Sequence, residues 1–197
     1  GSEPATPSNQ TTSPAIMGTA EAFTTVELYA SEDCSGDMIA SGDADVYGDF
    51  SVSITVTANL TTTVYGLARD LAGTSSSCSA VGFAFTHDDL DPDAPVWVST
   101  SPLSPSSEDT DPVLHGTGEE GALISIYSMA DCSGDALINA TVVGGVFETV
   151  KSDPATAVTG LSVEDNSSQA YYAVATDSAG NISACSEGII FEHDSAP

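Results

Sequence analysis

The sequence predicts an all-β protein built as two tandem β-sandwich domains, and three observations carry that prediction. The first is an internal repeat. PATPSNQTTSP recurs as PLSPSSEDTDP, AIMGTAE as VLHGTGE, and VELYASEDCSGD as ISIYSMADCSGD, so that Cys34 maps onto Cys132 at one fixed displacement. The second is strand periodicity: in FSVSITVT, Phe50, Val52, Ile54 and Val56 alternate with serine and threonine, the period-two pattern of a strand with one buried face. The third is punctuation. DLAG and DSAG place Gly73 and Gly180 where a hairpin needs a left-handed residue, and no window shows helical periodicity.

Each copy spells the same elements in the same order. A Pro-rich opening leads to an early strand in AIMGTAE or VLHGTGE, and TVELYA and LISIY then alternate as FSVSITVT does. TVYGLAR and AYYAVAT follow with β-branched, aromatic and small residues between turn signals. The displacement between copies grows here, which places an insertion within KSDPATAVTGLSVEDNSS of the second copy, and Cys78 then maps onto Cys185. Roughly seven short strands in about 95 residues point to a two-sheet sandwich of immunoglobulin type. The expected domains are residues 1–93 and 94–197. They meet at HDDLDPDAP, and HDSAP, an abbreviated form of the same words, marks where a further copy would begin.

Charge removes several classes of partner. Only Arg69 and Lys151 are basic, one per copy, against 29 acidic residues and a formal net charge of −27 at pH 7. Such a field repels nucleic acid and anionic membrane surfaces, so neither is expected to bind, and a cation is its natural complement. Apolar residues make up 41% of the chain, enough to bury a core, and a monomer is expected. No apolar run approaches the roughly 20 residues that span a bilayer, and no signal peptide opens the sequence. The leading Gly1 and Ser2 read as an expression scar on an excised piece.

No catalytic pattern emerges, and an enzyme is not expected. With so many acids, a carboxylate pair at some separation arises by chance and carries no weight for glycoside hydrolysis. There is no GxSxG elbow, no phosphate-cradling glycine loop, and no CxxC spacing for zinc. His115 replaces Met17 in the early strand and reads as packing, while His87 and His193, at matching seams, read as surface residues at strand ends. Five N-x-S/T sequons, at Asn9, Asn59, Asn139, Asn166 and Asn181, are what a Ser- and Thr-rich chain yields by chance.

The series GTAE, VELY, YGDFSVSI and ARDLAGTSSSCS, with ATDSAGNIS in the second copy, resembles the bacterial immunoglobulin-like domains strung in tandem in very large surface adhesins. The resemblance covers nearly the whole chain and rests on turns and core positions. It implies an extracellular structural or adhesive repeat on a bacterial cell surface, with neighbouring repeats of the same parent chain as partners. Two cysteines per repeat depart from the commonest members. Four cysteines allow three pairings and suit an oxidising compartment. In the strand order of such domains, the loop of Cys34 and the turn before Cys78 lie at one pole, which implies Cys34 with Cys78 and Cys132 with Cys185.

The seam DDLDPDAP is similar to the calcium-binding junctions of cadherin repeats and of some adhesin repeats. Calcium takes six to eight oxygens, and a dense aspartate run supplies them. The expected ligands are Asp88, Asp89, Asp91 and Asp93 from the seam, meeting Asp131 of MADCSGD and Asp177 of DSAGN at one pole of the second copy. Two alternatives stand beside this: a solvated acidic linker stiffened by Pro92 and Pro95, and an Asp177 that only bonds within its own turn. Two functional classes follow. One is a non-catalytic spacer, stiffened by calcium at the junction; the other is an adhesive module gripping a carbohydrate or protein receptor, for which Trp97, the single tryptophan, is the one aromatic of note.

Overall fold

A computed structural model describes residues 1–153, 155–157 and 159–196. The chain divides into two compact units, Gly1–Leu90 and Asp91–Pro197, so the break falls between Leu90 and Asp91 rather than after residue 93.

In the first unit, β1 (Ser2–Glu3), β2 (Ala15–Thr19) and β5 (Asp49–Ser53) form one antiparallel sheet in the order β1-β2-β5. The facing sheet runs β4-β3-β6-β7, from β3 (Thr25–Tyr29), β4 (Met38–Asp43), β6 (Thr61–Arg69) and β7 (Phe83–Thr86). The second unit repeats the plan. Its sheets are β8-β9-β12, from β8 (Val96–Ser101), β9 (Val113–Thr117) and β12 (Val146–Glu148), and β11-β10-β13-β14, from β10 (Leu123–Tyr127), β11 (Ile138–Thr141), β13 (Ser167–Thr176) and β14 (Ile189–His193). Both units are therefore all-β sandwiches of three strands on four, as the repeat predicts. In each, the fourth strand pairs with the third rather than with the fifth.

The buried faces follow the alternation read from sequence. Val26 and Leu28 on β3 and Ile124 and Ile126 on β10 point inward, and Phe85 and Phe191 are fully buried at the centre of the two cores. FSVSITVT departs in one respect: β5 stops at Ser53, yet Ile54 and Val56 stay buried. Their backbone N–H groups donate to the carbonyls of Pro14 and Thr12, so the inward spacing outlasts the strand. The insertion sits where the displacement placed it. Beyond it, Leu161 and Val163 take the places of Ile54 and Val56, and the N–H of Val163 donates to Thr110 as that of Val56 does to Thr12. Lys151 pairs with Asp109, and the N–H of Ser152 donates to Asp111 at 2.8 Å, which holds the insertion down.

The opening segment of each unit visits both sheets. β1 pairs with β2, after which Ser8 forms a parallel bridge with His87; Ser106 does the same with His193. Proline has no N–H to donate to a ladder, so Pro4 and Pro102 release the strand where it changes sheet. The peptide bonds before Pro4, Pro7, Pro102 and Pro105 are all cis.

Candidate functional site

The feature that recurs most faithfully is the point where the chain leaves each sandwich. His87 is only 3% exposed and His193 only 5%, which corrects the expectation of surface histidines. The loop ahead of the long sixth strand folds over them. Asn59 adopts a left-handed conformation (φ 57°), which asparagine tolerates better than most residues, and its N–H donates to Nδ1 of His87 at 3.3 Å. Its side-chain Oδ1 accepts the N–H of Asp89 at 2.7 Å. On the other side, the N–H of Ser8 donates to the Thr86 carbonyl and the N–H of Asp88 donates to that of Ser8, both at 3.1 Å.

The second unit makes the same four bonds. Asn166 (φ 54°) donates its N–H to His193 Nδ1 at 3.4 Å and accepts the N–H of Ser195 at 2.9 Å. The N–H of Ser106 donates to Glu192, and that of Asp194 donates to Ser106. The chain is thus clamped from two sides beyond its last strand, as far as Asp89 in the first unit and Ser195 in the second. The signal for this was present in both copies as an asparagine before the long strand and a histidine where the last strand ends, His87 just past β7 and His193 as the final residue of β14. Replacing Asn59 with alanine removes an acceptor and strains the loop. The expected cost to the first unit is about 2 kcal/mol, with amide exchange at Asp89 accelerated, as hydrogen exchange followed by NMR would read.

Of the expected calcium ligands, Asp88 is half-buried and accepts the N–H of Leu90 at 3.1 Å, whereas Asp89, Asp91 and Asp93 are exposed. Asp131 and Asp177 are committed to their own turns. The Ser133 hydroxyl (2.6 Å) and N–H (3.1 Å) hold the Asp131 carboxyl below the usual range. Partial burial opposes ionisation of Asp177, but donors outweigh it: the N–H groups of Ala179 (2.8 Å), Gly180 (2.8 Å) and Asn181 (2.9 Å) and the Asn181 amide (2.8 Å) leave the carboxyl below its ordinary value. Its counterpart Asp70 accepts the N–H of Thr74 at 2.8 Å. Asp177→Ala is therefore expected to cost the second unit roughly 2–3 kcal/mol, against about 1 kcal/mol for Asp70→Ala in the first, measured by paired denaturation curves. Because the folded state depresses this carboxyl, its contribution is complete above the unfolded value of about 3.9 and is lost as pH falls below it.

Strand register also separates these two residues. Leu123 pairs with Thr176 and Tyr127 with Tyr172, so the turn of Asp177 lies at one end of β10 and the loop of Asp131 beyond the other, at least about 13 Å apart along the strand. One shared calcium shell cannot include both, which corrects the six-carboxylate cluster and the single pole. The disulfides nevertheless join as expected: Cys34 to Cys78 with Cα atoms 5.6 Å apart, and Cys132 to Cys185 at 5.8 Å. The reason is that Cys185 is not in the hairpin turn. After Asn181 the chain runs back along β13, where the N–H of Ser183 donates to Ala175 and that of Ser186 to Ala173, and this brings Cys185 down to the Cys132 loop. Ser76 and Ser79 guide Cys78 in the same way along β6. Among the described residues, no three His, Cys, Asp or Glu side chains gather where a metal ion could sit.

Trp97 serves the core of its own unit. Its ring packs edge-on against Phe147 with centroids 5.5 Å apart, and its indole N–H donates to the Glu187 carbonyl at 2.9 Å and to Ser186 Oγ at 3.2 Å. Arg69, the first unit's single base, forms an ion pair with Glu27 at 2.8 Å. Neither arrangement presents a nucleophile beside a base.

No family model matches the sequence, and no curated protein matches it. Among solved structures, the chain is similar to the BSP domain of a biofilm-associated protein, at 16% identity and a TM-score of 0.35 over 96% of this chain and 29% of that one. It thus spans about 29% of the length of that protein. It is also similar to the fibronectin(III)-like modules of CbhA from Clostridium thermocellum, at 11% identity and a TM-score of 0.46 over 91% of this chain and 85% of that one.

Proposed function

We propose that the chain is a pair of non-catalytic structural spacer repeats from an extracellular adhesin on a bacterial cell surface. The observation that carries this reading is the clamp at the end of each sandwich, built from the same four hydrogen bonds in both units while the loop before the sixth strand differs in length. Selection that keeps the exit geometry twice and relaxes a loop suits a part whose task is to pass the chain on in a defined direction. Two disulfides suit the oxidising exterior. The proposed partners are neighbouring repeats of the parent chain, and the fragment itself is a monomer.

The test acts on the parent protein. Exchanging these repeats for an equal number of unrelated sandwiches should preserve cell adhesion, whereas deleting them should weaken it. If the exchange abolishes adhesion and the isolated chain binds cells, the repeats are the adhesive module that grips a glycan or protein receptor.

Calcium at Asp88, Asp89, Asp91 and Asp93 belongs to this proposal. Four carboxylates within six residues repel one another, and a divalent cation relieves that repulsion. In chelator-stripped protein, calcium at ten times its dissociation constant is expected to add about 1.4 kcal/mol, seen as a raised melting temperature. Asparagine at Asp89, Asp91 and Asp93 should remove the effect. A calorimetric titration with no heat and no shift would leave the segment as a plain acidic linker.

A further inference from the structure

The two units differ at the tips of three loops, and strand register gathers those tips at one end of the first unit. Thr25, where β3 begins, pairs with Asp43 and with Arg69, and Thr19 at the end of β2 pairs with Asp49. Loops 20–24, 44–48 and 70–73 therefore open at the same end. Two of them are also joined through the backbone, the N–H of Phe23 donating to Ala44 at 3.1 Å and that of Ala20 to Gly48 at 2.8 Å.

Each tip has a counterpart in the second unit, fixed by an equivalent bond. The N–H of Gly121 donates to Val142 as that of Phe23 does to Ala44. Asp45 bonds to Asp49 around Val46 and Tyr47, where Val143 bonds to Val146 around Gly144 and Gly145. Gly73 bonds back to Asp70 over Leu71, where Gly180 bonds back to Asp177 over Ser178. The places of Gly121, Gly144 and Ser178 are thus taken in the first unit by Phe23, Tyr47 and Leu71, which are 62%, 85% and 95% exposed. Phe23 holds a left-handed conformation (φ 63°) that strains a bulky residue and that Gly121 (φ 81°) adopts freely. An entering segment leaves this end open: residues 91–95 and β8 lead into the second unit there, and Gly121, Gly144 and Ser178 stay exposed.

The charge around the tips has one sign. Glu21, Asp43, Asp45, Asp49 and Asp70 are exposed on or beside the loops, which carry no lysine or arginine. The unit's one base, Arg69, is held by Glu27 at 2.8 Å and by the Gly73 carbonyl at 3.2 Å. Carboxylates set among apolar tips repel an anionic bilayer, a nucleic acid and a second copy of this chain alike, and attract cations. We propose that this end of the first unit is a docking surface for a basic segment of a protein partner, an extended stretch in which lysine or arginine alternates with apolar side chains. The apolar groups of that segment cover Val46 and Leu71, while its cations lie over the ring faces of Phe23 and Tyr47 and pair with the carboxylates. The docking surface belongs to the first unit alone and stands apart from the spacer reading.

The probe is a nonapeptide, Lys-Pro-Leu repeated three times, titrated calorimetrically into the full chain at ~0.15 M salt, where long-range attraction is screened. The comparison is the triple variant Phe23→Gly, Tyr47→Ser and Leu71→Ser, which removes the apolar tips and keeps every charge. Glycine relieves the left-handed site, so the variant should fold and melt no lower than the original. The peptide should bind the original chain at one site and at least about ten-fold more tightly than it binds the variant. In NMR spectra, amide resonances of 20–24, 43–49 and 70–73 should shift with the peptide while those of the second unit stay in place. Equal affinity for the variant, or shifts spread over both units, would reduce the binding to net charge and overturn the proposal. So would maltohexaose or phosphatidylcholine vesicles shifting those resonances where the peptide does not, since a sugar or a lipid would then be the occupant. Neither failure touches the exchange of repeats in the parent, which tests the spacer function separately.

Discussion

Replacing Cys132 and Cys185 together with alanine is expected to lower the stability of the second unit by about 4 kcal/mol and to leave the first at its original melting temperature. The bridge closes a sequence separation of 53 residues, and that of Cys34 with Cys78 closes 44. In the chain-entropy treatment, loops of this size restrict the unfolded ensemble by similar amounts, so the reciprocal pair of substitutions should act as strongly on the first unit. A loss of this size matters against the 5–15 kcal/mol of a typical domain. Differential scanning calorimetry would resolve it as one transition moving and one standing still. Two transitions moving together would show that the units fold as one.

Phe191→Ala should cost the second unit roughly 3–5 kcal/mol. The ring is fully buried at the centre of a core that includes Leu114, Ile124 and Tyr171, and the surrounding strands cannot collapse to fill the cavity because their hydrogen bonds fix their spacing. Phe85→Ala should act in the same way on the first unit, where Phe85 holds the corresponding place. Valine at either site would restore part of the loss. Urea unfolding of the two single variants, each followed by probes in both units, checks the size of the effect and its confinement.

The sandwiches were legible because a strand with one buried face writes its period directly into the sequence, as Val26 and Leu28 do, and because the chain does so twice. The disulfide pairing, one of three that four cysteines allow, came from the strand order that the resemblance to immunoglobulin-like domains implies. The route to it was not legible: hairpin and cysteine loop lie at different ends of β10, a matter of register that the resemblance to other domains could not supply. His87 and His193 escaped because what buries them is a backbone N–H from a left-handed asparagine nearly thirty residues away, and no local pattern encodes such a contact. Trp97 looked like a candidate contact beside the seam. Its role follows from Phe147, Ser186 and Glu187, three residues brought to it only by the closing of two sheets.

Two units in series should unfold one at a time, each held short by its own bridge. Stretching the oxidised chain from its two ends in single-molecule force spectroscopy is expected to give two separate unfolding steps. Adding a reductant should then lengthen those steps by about 160 Å and about 190 Å, the lengths hidden behind separations of 44 and 53 residues at ~3.6 Å per residue. One cooperative step for the whole chain, or steps whose length reductant does not change, would contradict two independent, disulfide-limited repeats.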